Sequence, residues 1–374
     1  MVKLISGATL FLGYALFSAS MKLGDFFITA GSLGVDSVTT LSNGLTILIA
    51  CKLFSTIIGC VILNKVDSFS AFKVGTLMFT AGVAIVGVGI GGLAFSEHML
   101  SKAFIGLGGG FILATINPLT AMLFQEKELS IVSGANNAAP NIGITALIVS
   151  ASLIMTQLHL PMYLFVGIAL LLVLTMLGLR TKAKPIRRDN APSSGVLNGV
   201  KSLFNLIFAA AFSAVVAFFT LCFTFLEPAM VTPFLLAAIA GSFVGTGLAT
   251  ICNYRVVAIS ASLVGAVGAV IFISSGNAYA GMICGFSLFS SVTSYMMLAF
   301  KREGVTPASL SITFMLLWVF NDLFVLVTGA VYGRLSATDG ATLLIVFAVI
   351  YPLLTLILVT GKQKNVELIP INHS

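Results

Sequence analysis

Residues 106–113 read GLGGGFIL and residues 281–288 read GMICGFSL, so the pattern GxxxGFxL occurs twice, about 175 residues apart. At the same offset Met122-Leu123 faces Met297-Leu298, and Lys127-Glu128 faces Arg302-Glu303. Gly59 followed by Asn64-Lys65 is echoed by Gly247 followed by Asn253-Tyr254-Arg255. Glycines four apart on an apolar helix let a neighbouring helix approach closely, and a single match of this kind is weak. Matches at corresponding places in both halves indicate a duplicated unit. The expected fold is two homologous helical bundles related by an axis along the membrane normal, a known transporter plan.

The composition around these stretches agrees. Of 374 residues 58% are apolar and only 8% are charged, against about 25% charged in a soluble globular domain. Nineteen basic and twelve acidic residues cannot coat a water-facing surface, which excludes soluble, disordered and fibrous classes. A transmembrane barrel would alternate in short segments. This chain instead has unbroken apolar runs of about 20 residues, the length that crosses a bilayer as a helix. Breaks at polar and Gly/Pro clusters predict twelve spans, at about 4–30, 38–63, 71–95, 99–124, 130–156, 160–179, 202–226, 230–252, 256–275, 278–300, 307–332 and 338–360. The class is an all-α polytopic membrane protein.

One stretch has a linker's composition, RTKAKPIRRDNAPSSG at 180–195. It falls after the sixth span and predicts an N-terminal six-helix bundle at 1–179, a cytoplasmic linker at 180–201 and a C-terminal bundle with a short tail at 202–374. With both termini cytoplasmic, about fifteen basic residues fall on the cytoplasmic side and only Lys102 and Arg334 on the other. Lys22 and Lys52 lie inside spans. That asymmetry is the positive-inside pattern, and it accounts for the net charge of +7 without a nucleic-acid partner. The five cysteines lie in apolar runs without metal-like spacing, as small core residues do. The first apolar run outlasts a signal-peptide core and is expected to be span 1.

The chain resembles the major facilitator superfamily over essentially its whole length. The residues that carry the resemblance are GCVILNKVDSFSAFK at Gly59–Lys73, KAFIGLGGG at Lys102–Gly110 and EKELSIVSGANNAAPNIG at Glu126–Gly143. In the loop motif Gly59, Lys65 and Lys73 fit the pattern, while Asn64 stands where the family has an acid. The helix 4 pattern of proton-coupled members starts with arginine, and here it starts with Lys102. The Gly-Pro motif of drug antiporters is absent from span 5, since Pro140 lies too early. The resemblance implies a cavity lined by spans 1, 4, 7 and 10, with spans 2 and 11 meeting where the bundles touch.

Ionisable groups inside spans are costly and usually face a cavity or a partner. Lys22 and Asp25 lie one turn apart on span 1, hence on one face, and are read as a local ion pair near the outer interface or as a proton or substrate-cation site. Glu227, at the outer end of span 7, is the counterpart of Asp25 in the second half or a simple end-of-helix carboxylate. Lys102 is read as neutralising an anionic solute or a cavity carboxylate, or as snorkelling to the surface. Lys52 on span 2 and Asp322 on span 11, with Asn321 beside it, lie near mid-depth. They are read as an inter-bundle gate, paired in one state and parted in another, or as a static bridge. Asn117-Pro118 on span 4 and Asn136, Asn137, Pro140 and Asn141 near the start of span 5 supply polar and helix-loosening groups, read as hinge or cavity elements or as interhelical hydrogen bonding, with Asn117 a candidate for substrate or ion coupling. Gly106, Gly110, Gly281 and Gly285 are read as packing devices. His98 and His159 are assigned to outer loops, and Phe and the single Trp318 to core, lipid face or an apolar cavity.

No hydrolase triad, zinc-ligand spacing or nucleotide-binding loop appears, so an enzyme or a primary pump is not expected, and no cofactor or metal is. The expected function is a secondary transporter working by alternating access, coupled to protons or another ion. A passive facilitator is the close alternative; a lipid flippase or a transporter-like receptor on the same fold ranks lower. The lysines in the spans point to an anionic or zwitterionic small solute. The chain is expected to act as a monomer in a bacterial inner membrane.

Overall fold

The computed structural model describes residues 2–23, 25, 37–62, 68–88, 95–124, 126–156, 169, 173, 175, 202–302 and 307–361. Every regular element among them is an α-helix: α1 (Val2–Leu23), α2 (Ser37–Ile62), α3 (Ser68–Val88), α4 (Phe95–Leu123), α5 (Glu126–Thr156), α6 (Leu203–Phe225), α7 (Pro228–Ile251), α8 (Tyr254–Ser275), α9 (Ala278–Phe300), α10 (Pro307–Tyr332) and α11 (Ala337–Thr360). Among the described residues, ten helices are long and apolar enough to cross a membrane, which makes this a multi-pass membrane protein. Predicted span 6, apart from three of its residues, and the predicted linker lie outside the described residues, so α6 to α11 correspond to predicted spans 7 to 12.

These sequences become helices because a bilayer offers no water to an unpaired backbone group. Hydroxyl side chains in the spans turn back onto their own helices. Thr76 donates to the Phe72 carbonyl at 2.9 Å and Thr355 to that of Tyr351 at 2.8 Å. At the ends, side chains cap the free N–H groups: Asn277 accepts from Tyr279 and Ala280, and Asn253 accepts from Arg255. Gly276 closes α8 with φ of 66°, a left-handed conformation that costs glycine nothing.

Lipid tails are as apolar as leucine, so helices here associate through close packing. The two GxxxG stretches supply it in the same manner. A side chain at Gly106 or Gly110 of α4 would strike the backbone of α2, at Leu48 and Lys52 respectively. One at Gly285 of α9 would strike the Phe234 carbonyl of α7, and one at Gly281 would meet the Phe272 ring of α8. Within the N-terminal set α4 packs on α2 and α3, and α1 on α5; within the C-terminal set α9 packs on α7 and α8, and α6 on α10 and α11. The broadest contacts between the sets are those of α2 with α10 and of α5 with α7. Ser42 of α2 donates to the Gly329 carbonyl of α10 at 3.1 Å.

Candidate functional site

Where the two sets face each other the helices line a partly open cavity. Its wall draws on α1, α2, α4, α5, α6, α9 and α10. Most of it is apolar: Phe17 of α1, Phe212, Phe219 and Phe223 of α6, and Phe289 of α9 line it. Phe219 stacks edge-on against both Phe223 and Phe289, with ring centroids 5.2 and 5.1 Å apart. Polar groups reach the wall at few points, among them Ser18, Thr220, Asn137 and Lys52.

Lys52 carries the only full charge in that wall among the described residues. Its Nζ lies 2.7 Å from Asp322 Oδ1, with side-chain exposure of 6% and 0% for the two partners. Asn321 Nδ2 donates to the same oxygen at 3.2 Å and Thr56 Oγ1 to Oδ2 at 3.5 Å. The carboxylate is therefore shared between α2 and its own helix, α10. The ammonium also sits 5.5 Å from the centre of the Trp318 ring, within cation–π range. Trp318 in turn meets Tyr14 and Phe212 edge-on, at 6.4 and 5.4 Å. An ion stripped of water costs several kcal/mol, and only pairing with further hydrogen bonds offsets it. Here both partners are so held.

A second charged group lies at the C-terminal end of α1. Asp25 Oδ1 is 2.6 Å from Lys102 Nζ of α4, whereas Lys22 Nζ stands 3.8 Å from Oδ2. Lys102 also donates to the Met21 carbonyl, and Lys22 donates to the Thr224 carbonyl of α6 at 3.1 Å. All three side chains are buried. Lys22 and Asp25 lie within ion-pair distance, as their spacing suggests, but the shorter contact to Asp25 comes from Lys102. Of the two readings of Lys102, the buried side chain meets a carboxylate and does not snorkel to a surface. Sequence spacing favours the pair three residues apart, but the α1 and α4 backbones come close enough for the ammonium of Lys102 to reach the carboxylate first.

Other residues fall elsewhere. Glu227 is exposed and is the N-cap residue of α7 rather than part of the preceding helix; its side chain makes no capping bond. Its expected equivalence with Asp25 finds no geometric support, since Asp25 is buried between lysines. His98, assigned to a loop, is buried in α4 one turn before Lys102. The polar run Ser96-Glu97-His98 reads as a loop, but α4 starts at Phe95 and carries it inward. The α5 asparagines lie in mid-helix, not near its start, because the helix begins at Glu126. There Asn136 donates to Thr120 of α4 at 3.1 Å, and Pro140 removes one backbone donor from the ladder. Asn117 is half-buried in α4 and does not line the cavity. Gly59 packs against Phe111 and Ala114 of α4, and Lys73 is half-buried on α3; Asn64 and Lys65 lie outside the described residues. Among those residues no group of three His, Cys, Asp or Glu is placed to hold a metal ion.

The arrangement of the helices is shared with solved structures. The crystal structure of a major facilitator superfamily transporter, FucP, in the outward conformation matches with a TM-score of 0.73 at 14% identity, over 96% of this chain and 99% of that one. A structure of the E. coli fucose:proton symporter FucP, as a point variant, matches with 0.69 at 13% identity, over 96% and 98%. The chain has the major facilitator fold. No protein-family model matches the sequence, and no curated protein matches it.

In this chain's version of the major facilitator fold, α1, α4, α6 and α9 all reach the cavity, as the resemblance implies for spans 1, 4, 7 and 10. Tyr14 is a wall residue that sequence reasoning did not single out, while Asn137 and Trp318, both named from the sequence, line the wall as well. Trp318 lies one turn before Asp322 on α10, and that spacing alone would have placed the two on one helix face.

Proposed function

We propose that the chain is a secondary transporter that moves a small solute by alternating access around the central cavity, coupled to protons. The observation that carries this reading is the buried ion pair of Lys52 and Asp322. It joins α2 of one set to α10 of the other at the cavity wall, where a rocking motion of the two sets would have to part it. Parting leaves two charges that must be neutralised, and protonation of Asp322 is one way to do so. Asp25, between Lys22 and Lys102, is a second carboxylate whose protonation would respond to opening at its end of α1.

Twelve spans in two six-helix bundles, with both termini cytoplasmic, are part of the same reading. Support comes from the contacts between the sets. If span n corresponds to span n + 6, the contact of α2 with α10 (spans 2 and 11) maps onto that of α7 with α5 (spans 8 and 5). The two interfaces are then images of one another, as a two-fold axis along the membrane normal requires. FucP, the structural neighbour, is named a fucose:proton symporter; at this identity the likeness concerns the fold, and proton coupling here rests on the buried carboxylates. The solute is taken to be anionic or zwitterionic, the protein a monomer, and the site of action a bacterial inner membrane.

The test is uptake into proteoliposomes of metabolites selected by thermal shift, with and without an inward-directed proton gradient. Transport that accelerates with the gradient in the wild type and loses that response in Asp322→Asn is the expected result. Equal rates with and without the gradient would make the protein a passive facilitator.

A further inference from the structure

We propose that the central cavity binds a monocarboxylate with an apolar body of aromatic size. The proposal rests on the transport reading and names the class of solute. Phe17, Phe212, Phe219, Phe223 and Phe289 offer ring faces and edges. A sugar or other polyol entering here would give up its hydration for few partners, a cost that apolar walls do not return.

Three polar groups on the wall offer donors. Lys52 is a cation with three protons, of which Asp322 takes one. Trp318 is buried, and its Nε1, which can only donate, has no partner among the described residues. Asn137 Nδ2 is likewise buried and without a partner among them. No acidic side chain lines the cavity among the described residues, because Asp322 stands behind Lys52. A cationic solute would meet Lys52 and no counter-charge on the wall among the described residues. An acceptor head finds a cation and two uncommitted donors, which is how a site built around buried polar groups selects its ligand.

The charge balance is defined. A carboxylate engaging Lys52 takes the place of Asp322 Oδ1 on the ammonium, and Asp322 takes up one proton. The site then holds one cation and one anion, as before, so one proton accompanies each monocarboxylate.

Trp318 is the single tryptophan and lines the cavity, so its fluorescence reports on occupancy in the purified full chain. Four probes separate the possibilities: 4-phenylbutyrate, 4-phenylbutanamide, 4-phenylbutylamine and L-fucose. The expected result is saturable change with 4-phenylbutyrate, at least tenfold tighter than the amide or the amine, with L-fucose neither binding nor competing. The double variant Lys52→Met with Asp322→Leu, which removes both charges together, should bind acid and amide alike. The wild-type comparison stands even if that variant fails to fold. Equal affinity for acid and amide would overturn the anionic head, saturation by L-fucose alone would overturn the apolar body, and no response to any probe would overturn both. Binding of 4-phenylbutyrate without its uptake into proteoliposomes would overturn the transport reading and leave the site. Uptake of some other solute, with 4-phenylbutyrate silent, would do the reverse.

Discussion

The two charged groups of this molecule are built on different plans. At the cavity wall one lysine meets one aspartate, the partners come from helices of different sets, and Thr56 and Asn321 also donate to the carboxylate. At the end of α1 one aspartate serves two lysines, and the close pair, Asp25 with Lys102, lies within the N-terminal set. There the bond to the other set runs from Lys22 to a backbone carbonyl of α6. The first is a charge-to-charge tie between sets and balances to zero. The second carries a surplus positive charge and ties the sets through one hydrogen bond to a neutral acceptor. An ion pair dry on both sides resists separation more than a charge-to-carbonyl bond, so the α1 end should yield first when the sets rock.

The largest expected effect comes from breaking the neutral pair. Asp322→Ala leaves the Lys52 ammonium buried without its counter-charge, at a cost of about 3–5 kcal/mol, read as a fall in the midpoint of unfolding in detergent. Replacing both partners, Lys52→Met with Asp322→Leu, should recover most of that loss. A double variant no more stable than the single one would show that the pair is not what holds Asp322 in place. Next in size is Asp25→Asn, which leaves Lys22 and Lys102 without their shared carboxylate. Because the Met21 and Thr224 carbonyls still accept from them, the loss should be about 1.5–3 kcal/mol, smaller than for Asp322→Ala. Equal losses at the two sites would erase the distinction drawn between them.

Lys22→Met should change stability by about 1 kcal/mol or less, since it removes a hydrogen bond and the surplus charge together. Its effect should show in access. In a variant keeping Cys222 as its one cysteine, labelling of this buried α6 residue by a membrane-impermeant maleimide should quicken several-fold. A packing change sharpens the same comparison. Gly110→Ala would push α4 away from the backbone of Lys52 and Thr56 and the side chain of Ser55, costing about 1–3 kcal/mol and weakening the neutral pair. Gly285→Ala should cost as much through α7 yet leave both charged groups in register.

The fold was legible because membrane burial is written in composition. Apolar length, the GxxxG stretches and the basic residues each point to the same helices. Lys52 and Asp322 were legible because few charges sit at mid-depth, and a dry charge needs a partner. What resisted reading was helix register. His98 stands in a run polar enough to pass for a loop, and only the start of α4 at Phe95 moves it inward. The α5 asparagines shift from the end of a helix to its middle for the same reason. Asp25 does pair with the lysine nearest in sequence, but its shorter contact, to Lys102, crosses an interhelical gap that no local pattern encodes.

The bond from Lys22 to Thr224 has a consequence for how such a sequence can drift. Its acceptor is a peptide carbonyl, which any amino acid at position 224 would supply. Lys102 leans on Met21 in the same way. Exchanges at 21 and 224 should therefore accumulate freely wherever size permits, while the lysines that read those carbonyls stay fixed. In this corner of the protein the backbone keeps half of each contract, and mutation can reach only the other half.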